Sequence, residues 1–260
     1  EAEFHRIMEG EFLAYVKEQK EKGVIRHIGM STHNPKVGKL AAMSGEIEML
    51  LFSINPAFDL LPASEDMNTY FAEDYDENLG GIHPDRADLY QTCERLGIGI
   101  NVMKGYAGGR LFSAASSPFG VALTPVQCIH YALTRPAVAS ILAGYDTPEH
   151  VMDAVAYETA SEEEKDYANV LAKAPRHAYS GQCTYCGHCA PCPAGIDIAM
   201  VNKLYDLAAM QEQVPASIKA HYEALPANAK DCIACGGCEE RCPFGVRVTE
   251  KMEKAQDLFG

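Results

Sequence analysis

The sequence predicts an α/β unit with a parallel sheet, followed by a smaller, mainly helical unit that is rich in cysteine. Two observations lead to this class. The first part of the chain alternates short apolar strands with amphipathic helices, which is typical of βα units on a parallel sheet. Beyond it, eight of the ten cysteines fall in two short runs. We therefore divide the chain into a first unit (residues 1–171), a linker (172–182) and a second unit (183–260).

Glycines, prolines and capping side chains mark the ends of the helices in the first unit. Gly23 follows the first helical pattern, and Thr124 and Thr147 each precede a proline that opens a later helix. Apolar runs of strand length lie between these helices and predict four strands. The predicted helices cover residues 12–21, 35–43 and 85–96 and begin again at 125 and 148; the predicted strands cover 24–30, 48–54, 98–103 and 138–143.

A long acidic connection, residues 57–84, follows the second predicted strand and exceeds the length of an ordinary loop. Eight acidic residues and a single base, Arg86, lie between Glu65 and Asp88. This composition is compatible with a solvated insertion on the surface or, alternatively, with a docking face for a basic partner.

The charge balance restricts the partners of the protein. The chain has 22 basic and 36 acidic residues and a net charge of −14, and such a surface repels phosphate backbones and anionic membranes. No apolar run in the sequence is long enough to span a bilayer, and the first residues do not resemble a signal peptide. We therefore expect a cytoplasmic protein that binds neither nucleic acid nor membrane.

Two cysteine runs form an internal repeat in the second unit. Each contains C-x-x-C-x-x-C, then C-P-x-G and two alternating β-branched residues. The first run comprises Cys183, Cys186, Cys189 and Cys192, and the second comprises Cys232, Cys235, Cys238 and Cys242. In a cytosolic chain, clustered cysteines bind metal more often than they form disulfides. Cys93 and Cys128 stand apart in predicted helices, where we expect buried thiols.

The spacing within each run predicts two 4Fe–4S clusters. Three thiolates spaced three residues apart can surround one corner of a cluster, whereas a fourth cysteine followed by proline ligates the other cluster in two-cluster ferredoxins. We therefore assign Cys183, Cys186, Cys189 and Cys242 to one cluster, and Cys232, Cys235, Cys238 and Cys192 to the other. Because the second unit then has eight inward-facing thiolates and no large apolar core, we expect it to depend on the clusters for folding.

Zinc and disulfides explain this repeat less completely. Two zinc ribbons would need only paired C-x-x-C motifs, and disulfides would need an oxidising compartment. The spacing departs once from the bacterial ferredoxin pattern, because two residues rather than three precede Cys192. The residues between the runs predict helices, so that the unit resembles the alpha-helical ferredoxins of electron-transfer chains.

The first unit resembles the aldo/keto reductase family, in the branch that carries a C-terminal iron–sulfur domain. The resemblance rests on residues 23–32 (GVIRHIGMST), 52–56 (FSINP), 102–105 (VMKG) with 108–111 (GGRL), and 143–144 (AG) with 147–151 (TPEHV). These look like strands five to eight of the family's barrel. The resemblance thus implies the C-terminal half of a TIM-type (β/α)8 barrel and a chain that is a piece of a longer protein, since a complete barrel takes about 250 residues.

The same resemblance implies a nucleotide site but no catalytic residue. In the family, an Asp, Tyr, Lys and His on the first half of the barrel carry out the catalysis, and no residue here matches them. The implied cofactor-binding residues are Ser31, Thr32, Lys104, Gly108, Gly109 and Gly144. Ser31 and Thr32 match the pair that holds the carboxamide, and Gly108 and Gly109 match the glycines that let the backbone approach the pyrophosphate. Leu51 replaces the family's Gln, and Met103 its stacking Tyr.

The loop after the eighth strand bears on the choice of nucleotide. It contains Asp146 where the family offers Lys or Arg to a 2′-phosphate, which favours NAD over NADP.

We expect an iron–sulfur oxidoreductase of the aldo/keto reductase type when complete, in which nicotinamide chemistry is coupled to two clusters. The alternative is an electron-transfer module whose barrel serves for docking. A third, weaker reading is that the clusters only hold the second unit together.

Half a barrel would also leave two free sheet edges and an open inner face. We expect this face to carry apolar side chains that include Leu50, Phe52, Ile100 and Val102. The exposed edges predict a homo-oligomer, or association with the missing N-terminal half.

Overall fold

The computed structural model describes residues 1–71, 75–76 and 78–260. In the described part of the first unit and its linker, the helices are α1 (Ala2–Met8), α2 (Glu11–Glu21), α3 (Pro35–Met43), α4 (Pro84–Leu96), α5 (Pro125–Leu133), α6 (Pro148–Val155), α7 (Glu162–Lys165) and α8 (Tyr167–Ala172). The strands are β1 (Gly29–Thr32), β2 (Met49–Ser53), β3 (Gly99–Met103) and β4 (Val138–Ile141). The second unit contains α9 (Ile198–Ala209), α10 (Ala216–Glu223), α11 (Gly237–Glu240) and α12 (Val248–Phe259). Short 3-10 helices cover Phe58–Leu60, Met67–Phe71, Ala107–Phe112, Ala156–Thr159 and Ala229–Asp231.

The predicted capping residues begin the helices of the first unit. Thr124 and Thr147 accept hydrogen bonds from backbone amides of α5 and α6, and each helix has proline in its first turn. Thr124 also forms a reciprocal capping box with Gln127. The sequence patterns for these helices are therefore confirmed, and α3 has the predicted limits.

The four strands form one parallel sheet in the order β1-β2-β3-β4, which confirms the α/β class. Each strand lies beside the next one along the chain, as in successive βα units. No described helix is both long and apolar enough to cross a membrane.

The two faces of the sheet differ from the expectation. Leu50, Phe52, Ile100 and Val102 are fully buried, so these side chains do not lie on the open face as predicted. Because side chains alternate along a strand, the opposite face carries the residues between them. Its residues include Met49, Leu51, Asn101, Met103 and Ser140, and Met49 is 41% exposed. The sheet thus has a helix-covered apolar face and a mixed, partly exposed one.

The predicted strand at residues 24–30 is wrong over most of its length, because β1 begins only at Gly29. The amides of Val24 and Ile25 both donate to the carbonyl of Gln19, at the end of α2. Gly23 has a φ of 73°, which allows the chain to fold back in this way. The first residues of this apolar run therefore cap the end of α2, and the chain enters the sheet only at Gly29.

The second unit has a larger apolar core than the sequence predicted. α9, α10 and α12 pack together around buried side chains that include Val201, Leu204 and Met252. The rings of Tyr222 and Phe259 stack with their centroids 4.0 Å apart. The expectation that this unit lacks a large apolar core is wrong, because the helices between and after the cysteine runs supply one.

The linker is packed against the first unit. Tyr179 is buried and donates a hydrogen bond of 2.6 Å to the carbonyl of Pro56. The Arg176 guanidinium donates to the carbonyls of Asp76 and Leu79, at 2.6 and 2.8 Å. These contacts attach the linker to the acidic connection and to the end of β2.

A buried ion pair links the start of the acidic connection to α4. Residues 72–74 and 77 of the connection lie outside the described residues. Asp59 and Arg86 are both fully buried and form an ion pair of 3.4 Å. The single base of this acidic stretch is therefore an interior residue and not part of its surface.

Candidate functional site

The first three cysteines of run one and the last cysteine of run two line the same cavity. We name it the inner cavity; it is lined by Cys183, Cys186, Cys189 and Cys242, together with residues of α9 and of the segment before α12. The structure thus brings together four thiols that are widely separated along the chain, in the predicted grouping.

The remaining four cysteines line a second cavity. This outer cavity is lined by Cys192, Cys232, Cys235 and Cys238. Cys235 is exposed, and the neighbouring Ile233 is 67% exposed. The outer cavity therefore reaches solvent at Cys235, although Cys238 in the same cavity is buried, whereas the four cysteines of the inner cavity are all partly buried.

The backbone follows the same path around both cavities. Tyr185 and Ala234, at equivalent positions of the two runs, have left-handed φ values of 58° and 51°. Gly187 and Gly236 also share a left-handed conformation, with φ values of 83° and 74°. Successive amides in such conformations form concave sites for anions, as at many iron–sulfur centres. The local fold therefore suits a group with anionic sulfur atoms.

Hydrogen-bond donors reach the sulfur atoms of the inner cavity. The Asn202 Nδ2 atom donates to the Cys183 Sγ atom at 3.5 Å, and the Val246 amide donates to the Cys242 Sγ atom at 3.4 Å. Asn202 lies on α9 and has no sequence signal of its own, because the pattern that predicts this helix consists of apolar residues only. Such bonds stabilise thiolates and shift the potential of a cluster.

Burial sets the chemistry of the free thiols. Burial, together with the neighbouring thiols of Cys183 and Cys186, raises the pKa of Cys189 to about 12. Iron binding requires thiolates, so loading the site would release protons. Cys93 and Cys128 are buried as predicted, and burial raises the pKa of each to about 12, as expected for unreactive thiols.

The described residues contain no group of three or more His, Cys, Asp or Glu side chains spaced to hold a single metal ion. A four-iron cluster imposes a different spacing, because each cysteine binds a different iron atom. All eight cysteines of the two runs are free thiols in the structure.

A buried polar group lies directly behind the inner cavity. The carbonyl of Thr184, between two of the lining cysteines, accepts a hydrogen bond of 2.9 Å from the Tyr167 hydroxyl and another from the Arg135 guanidinium. Arg135 and Tyr167 are both buried. Neither residue could be predicted as part of the site, because a lone arginine or tyrosine at a helix end belongs to no recognisable pattern.

The nucleotide positions implied by the family resemblance occur near the carboxyl ends of the strands. Ser31 and Thr32 end β1 and line an apolar groove between this strand, α1 and α2. Lys104, Gly108, Gly109 and Gly144 do not line that groove. The Ser31 hydroxyl contacts the Met103 Sδ atom at 3.9 Å, which places both side chains on the open face of the sheet.

The loop after β3 has the conformation that its glycines favour. Gly108 and Gly109 have φ values of 69° and 86°, which other residues rarely adopt. Lys104 also has a positive φ, of 59°, and its carbonyl accepts a hydrogen bond of 2.9 Å from the Asn55 side chain. This loop is therefore a defined turn at the edge of the sheet.

Comparison with known families identifies the cysteine-rich segment. Residues 182–246 match the family described as "4Fe-4S dicluster domain", and this range contains all eight cysteines of the two runs. No curated protein and no solved structure gave a match to the chain. The chain therefore contains a 4Fe–4S ferredoxin-type domain, which supports iron–sulfur electron transfer.

Proposed function

We propose that the chain transfers electrons through two 4Fe–4S clusters, one in the inner cavity and one in the outer cavity. The observation that carries this proposal is the mixed origin of each set of cysteines, since each cavity takes three from one run and one from the other. The match to a 4Fe-4S dicluster family supports it. Clusters of this type supply one-electron transfer, and the protein holds them with thiolates and hydrogen bonds.

We further propose that the complete protein is an oxidoreductase of the aldo/keto reductase type, using a nicotinamide cofactor. Four parallel strands in sequential order support this proposal, as do the glycine turn after β3 and the position of Ser31 and Thr32 at a strand end. Ligand sites of parallel α/β barrels lie at this carboxyl edge. Asp146, which forms an ion pair with His150, favours NAD over NADP for electrostatic reasons.

A second candidate function is an electron-transfer module whose first unit only docks a partner. It is favoured by the apolar character of Leu51 and Met103, at positions where the resembled family has Gln and Tyr. Both side chains lie on the open face of the sheet and are half-buried. The two functions are distinguished in the complete protein by whether it oxidises NADH or NADPH in the presence of a carbonyl compound, which a docking module would not do.

Anaerobic purification with iron and sulfide analysis tests the proposed clusters. We expect about eight irons and about eight sulfides per chain, which is the content of two four-iron clusters. Reduced protein should give an electron paramagnetic resonance signal with the broadening typical of two interacting clusters. Fewer than about six irons, or stoichiometric zinc, would contradict the proposal.

We predict that the chain by itself does not reduce carbonyl compounds with NADH or NADPH. None of its residues matches the family's general acid, and proton donation by such a group contributes roughly 10²–10⁴ in rate. The measurement is oxidation of either nucleotide, followed at its absorbance maximum, with a panel of aldehydes and ketones. Intact cluster absorbance in the same sample is the control. Carbonyl-dependent turnover would show that the chain contains a general acid that the family resemblance does not identify.

We predict that the chain self-associates through the open face and the free edges of the sheet. Leu142 follows β4 and is 54% exposed, and its amide continues the ladder by donating to the carbonyl of Val102. Parallel sheets normally have both faces covered, and free strand edges pair readily. Light scattering under anaerobic conditions should give a mass of at least twice 28.3 kDa.

A lysine substitution tests whether that association uses the sheet. Leu142→Lys should lower the measured mass toward that of one chain, because it places a charge on the open face. Leu96→Lys is the matched control, since Leu96 is also exposed but ends α4 on the helix-covered side. A single-chain mass for the unsubstituted protein would disprove the association.

A further inference from the structure

Arg135 is a buried cation that lies between the first unit and the inner cavity. Its side chain is only 1% exposed and follows α5. The guanidinium donates to the Thr184 carbonyl, to the Thr134 hydroxyl at 2.9 Å and to the Tyr131 carbonyl at 3.3 Å. It also lies over the rings of Tyr131 and Tyr185, at 4.5 and 5.4 Å from their centroids.

Every hydrogen-bond acceptor around Arg135 is neutral. Within the described residues, no carboxylate forms an ion pair with it, and its Nη1 atom has no hydrogen-bond partner. Arg86, the other fully buried arginine, is paired with Asp59. The Asp59 carboxylate helps to raise the pKa of Arg135 but forms its ion pair with Arg86, so that two buried arginines share one carboxylate. Because a buried charge is costly without full compensation, a further negative charge is expected near Arg135.

The inner cavity can supply that negative charge. Thr184, which binds Arg135 through its carbonyl, lies between Cys183 and Cys186, and both of these cysteines line the inner cavity. Four thiolates around an iron–sulfur core carry a net negative charge, which increases by one on reduction. A fixed cation in a poorly solvated interior favours the more negative, reduced form.

Among the described residues, the cation that lines the outer cavity is exposed, unlike Arg135, which lies behind the inner cavity without lining it. This exposed cation is Arg241, and its Nη2 atom donates to the carbonyls of Cys189 and Pro191. Solvent screens a charge in such a position far more than it screens Arg135. The two cavities therefore share a backbone path but differ in electrostatic surroundings.

We propose that Arg135 is the counter-ion of the cluster in the inner cavity and makes this cluster easier to reduce than the cluster in the outer cavity. The inference rests on the proposed function, since it assumes that both cavities hold clusters. An electron that enters at the exposed Cys235 side would then pass from the cluster in the outer cavity to the cluster in the inner cavity, oxidising the first and reducing the second. Arg135 is a positioning residue, because it acts on the potential and does not ligate iron.

A redox titration followed by electron paramagnetic resonance tests this order. In the unsubstituted protein, the cluster that is reduced first should be the inner one. Cys186→Ala should remove the signal that appears first, whereas Cys235→Ala should leave it. If the signal that appears first belonged to the cluster of the outer cavity, the inference would be overturned. This test requires no substitution at Arg135.

Substitutions at Arg135 measure the size of the effect. Arg135→Gln should make reduction of the inner cluster at least tenfold less favourable, which is about 59 mV for a one-electron couple. Arg135→Lys keeps the charge and should restore most of the potential. Arg241→Gln is the control and should shift either potential by less than threefold, because its charge is screened.

The outcomes separate this inference from the proposed function. Eight irons with equal potentials, or potentials unchanged in Arg135→Gln, would refute the role of Arg135 and leave the clusters established. Absence of four-iron clusters in the unsubstituted protein would refute the proposed function itself. If Arg135→Gln does not load iron, the reduction order in the unsubstituted protein still decides the question.

Discussion

Cys242→Ala should remove the cluster of the inner cavity, whose other ligands come from the first cysteine run. The cluster of the outer cavity should remain, although three of its ligands belong to the same run as Cys242. Cys242 shares the inner cavity with Cys183, Cys186 and Cys189, and Cys238 lines the outer cavity. Iron content should fall from about eight to about four atoms per chain, since an incomplete set of thiolates does not retain a four-iron cluster. The magnetic signal of the remaining cluster should lose the broadening that comes from its neighbour.

Double variants give this prediction its control. Cys183→Ala with Cys242→Ala should lose no more iron than either single variant, because both cysteines belong to one cavity. Cys183→Ala with Cys192→Ala should lose both clusters, because these cysteines line different cavities. If the first pair lost both clusters and the second pair only one, each cluster would be ligated within its own run, and the crossed assignment would be wrong.

Local patterns in the sequence predicted most of the helices. A capping side chain followed by proline acts within one turn, so Thr124 and Thr147 could be identified from their neighbours alone. Residues 24–28 show the limit of such reasoning. Their apolar, β-branched composition predicts a strand, but two of their amides are already bonded to the end of α2. Which of two partners an amide takes depends on tertiary structure and not on composition.

The cysteine runs were predictable for a different reason. Their spacing reflects the size of the group they bind, so the grouping of Cys192 and Cys242 with the opposite run followed from the motif. The surroundings of the cavities have no such constraint. Arg135 and Asn202 reach the inner cavity from α5 and α9, and nothing in the spacing of the runs indicates which side chains will lie behind them. The nucleotide positions remain proposals that rest on the family resemblance.

The carboxylate of Asp59 holds the acidic connection to the neighbouring helices, and Arg86 of α4 is one of its partners. Asp59 accepts hydrogen bonds from the hydroxyls of Tyr90, at 2.5 Å, and Tyr131, at 2.7 Å, and pairs with Arg86. Arg86 also donates to the Ser53 carbonyl, at the end of β2, at 2.9 Å. Burial raises the pKa of Tyr90 well above its usual value, so that its hydroxyl stays protonated and donates. One carboxylate thus connects α4, α5 and the carboxyl end of β2.

Asp59→Asn should therefore destabilise the first unit strongly. The substitution leaves Arg86 fully buried without a counter-charge, and breaking a buried ion pair from one side costs about 3–5 kcal/mol. That is a large part of the roughly 5–15 kcal/mol by which folded domains are stable. Native-state hydrogen exchange should show the loss as reduced protection of amides in β2 and α4, while protection in α9 and α12 of the second unit changes less.

The matched control also changes one carboxylate to an amide. Glu3→Gln removes the partner of Arg6 in an exposed pair, so protection in β2 and α4 should not change. Asp59→Leu with Arg86→Met removes both charges and should recover part of the protection lost in Asp59→Asn, because an apolar pair leaves no buried charge. Unchanged protection in Asp59→Asn would mean that another group, or water, compensates the Arg86 charge. The attachment of the connection to β2 would then depend on packing rather than on this ion pair.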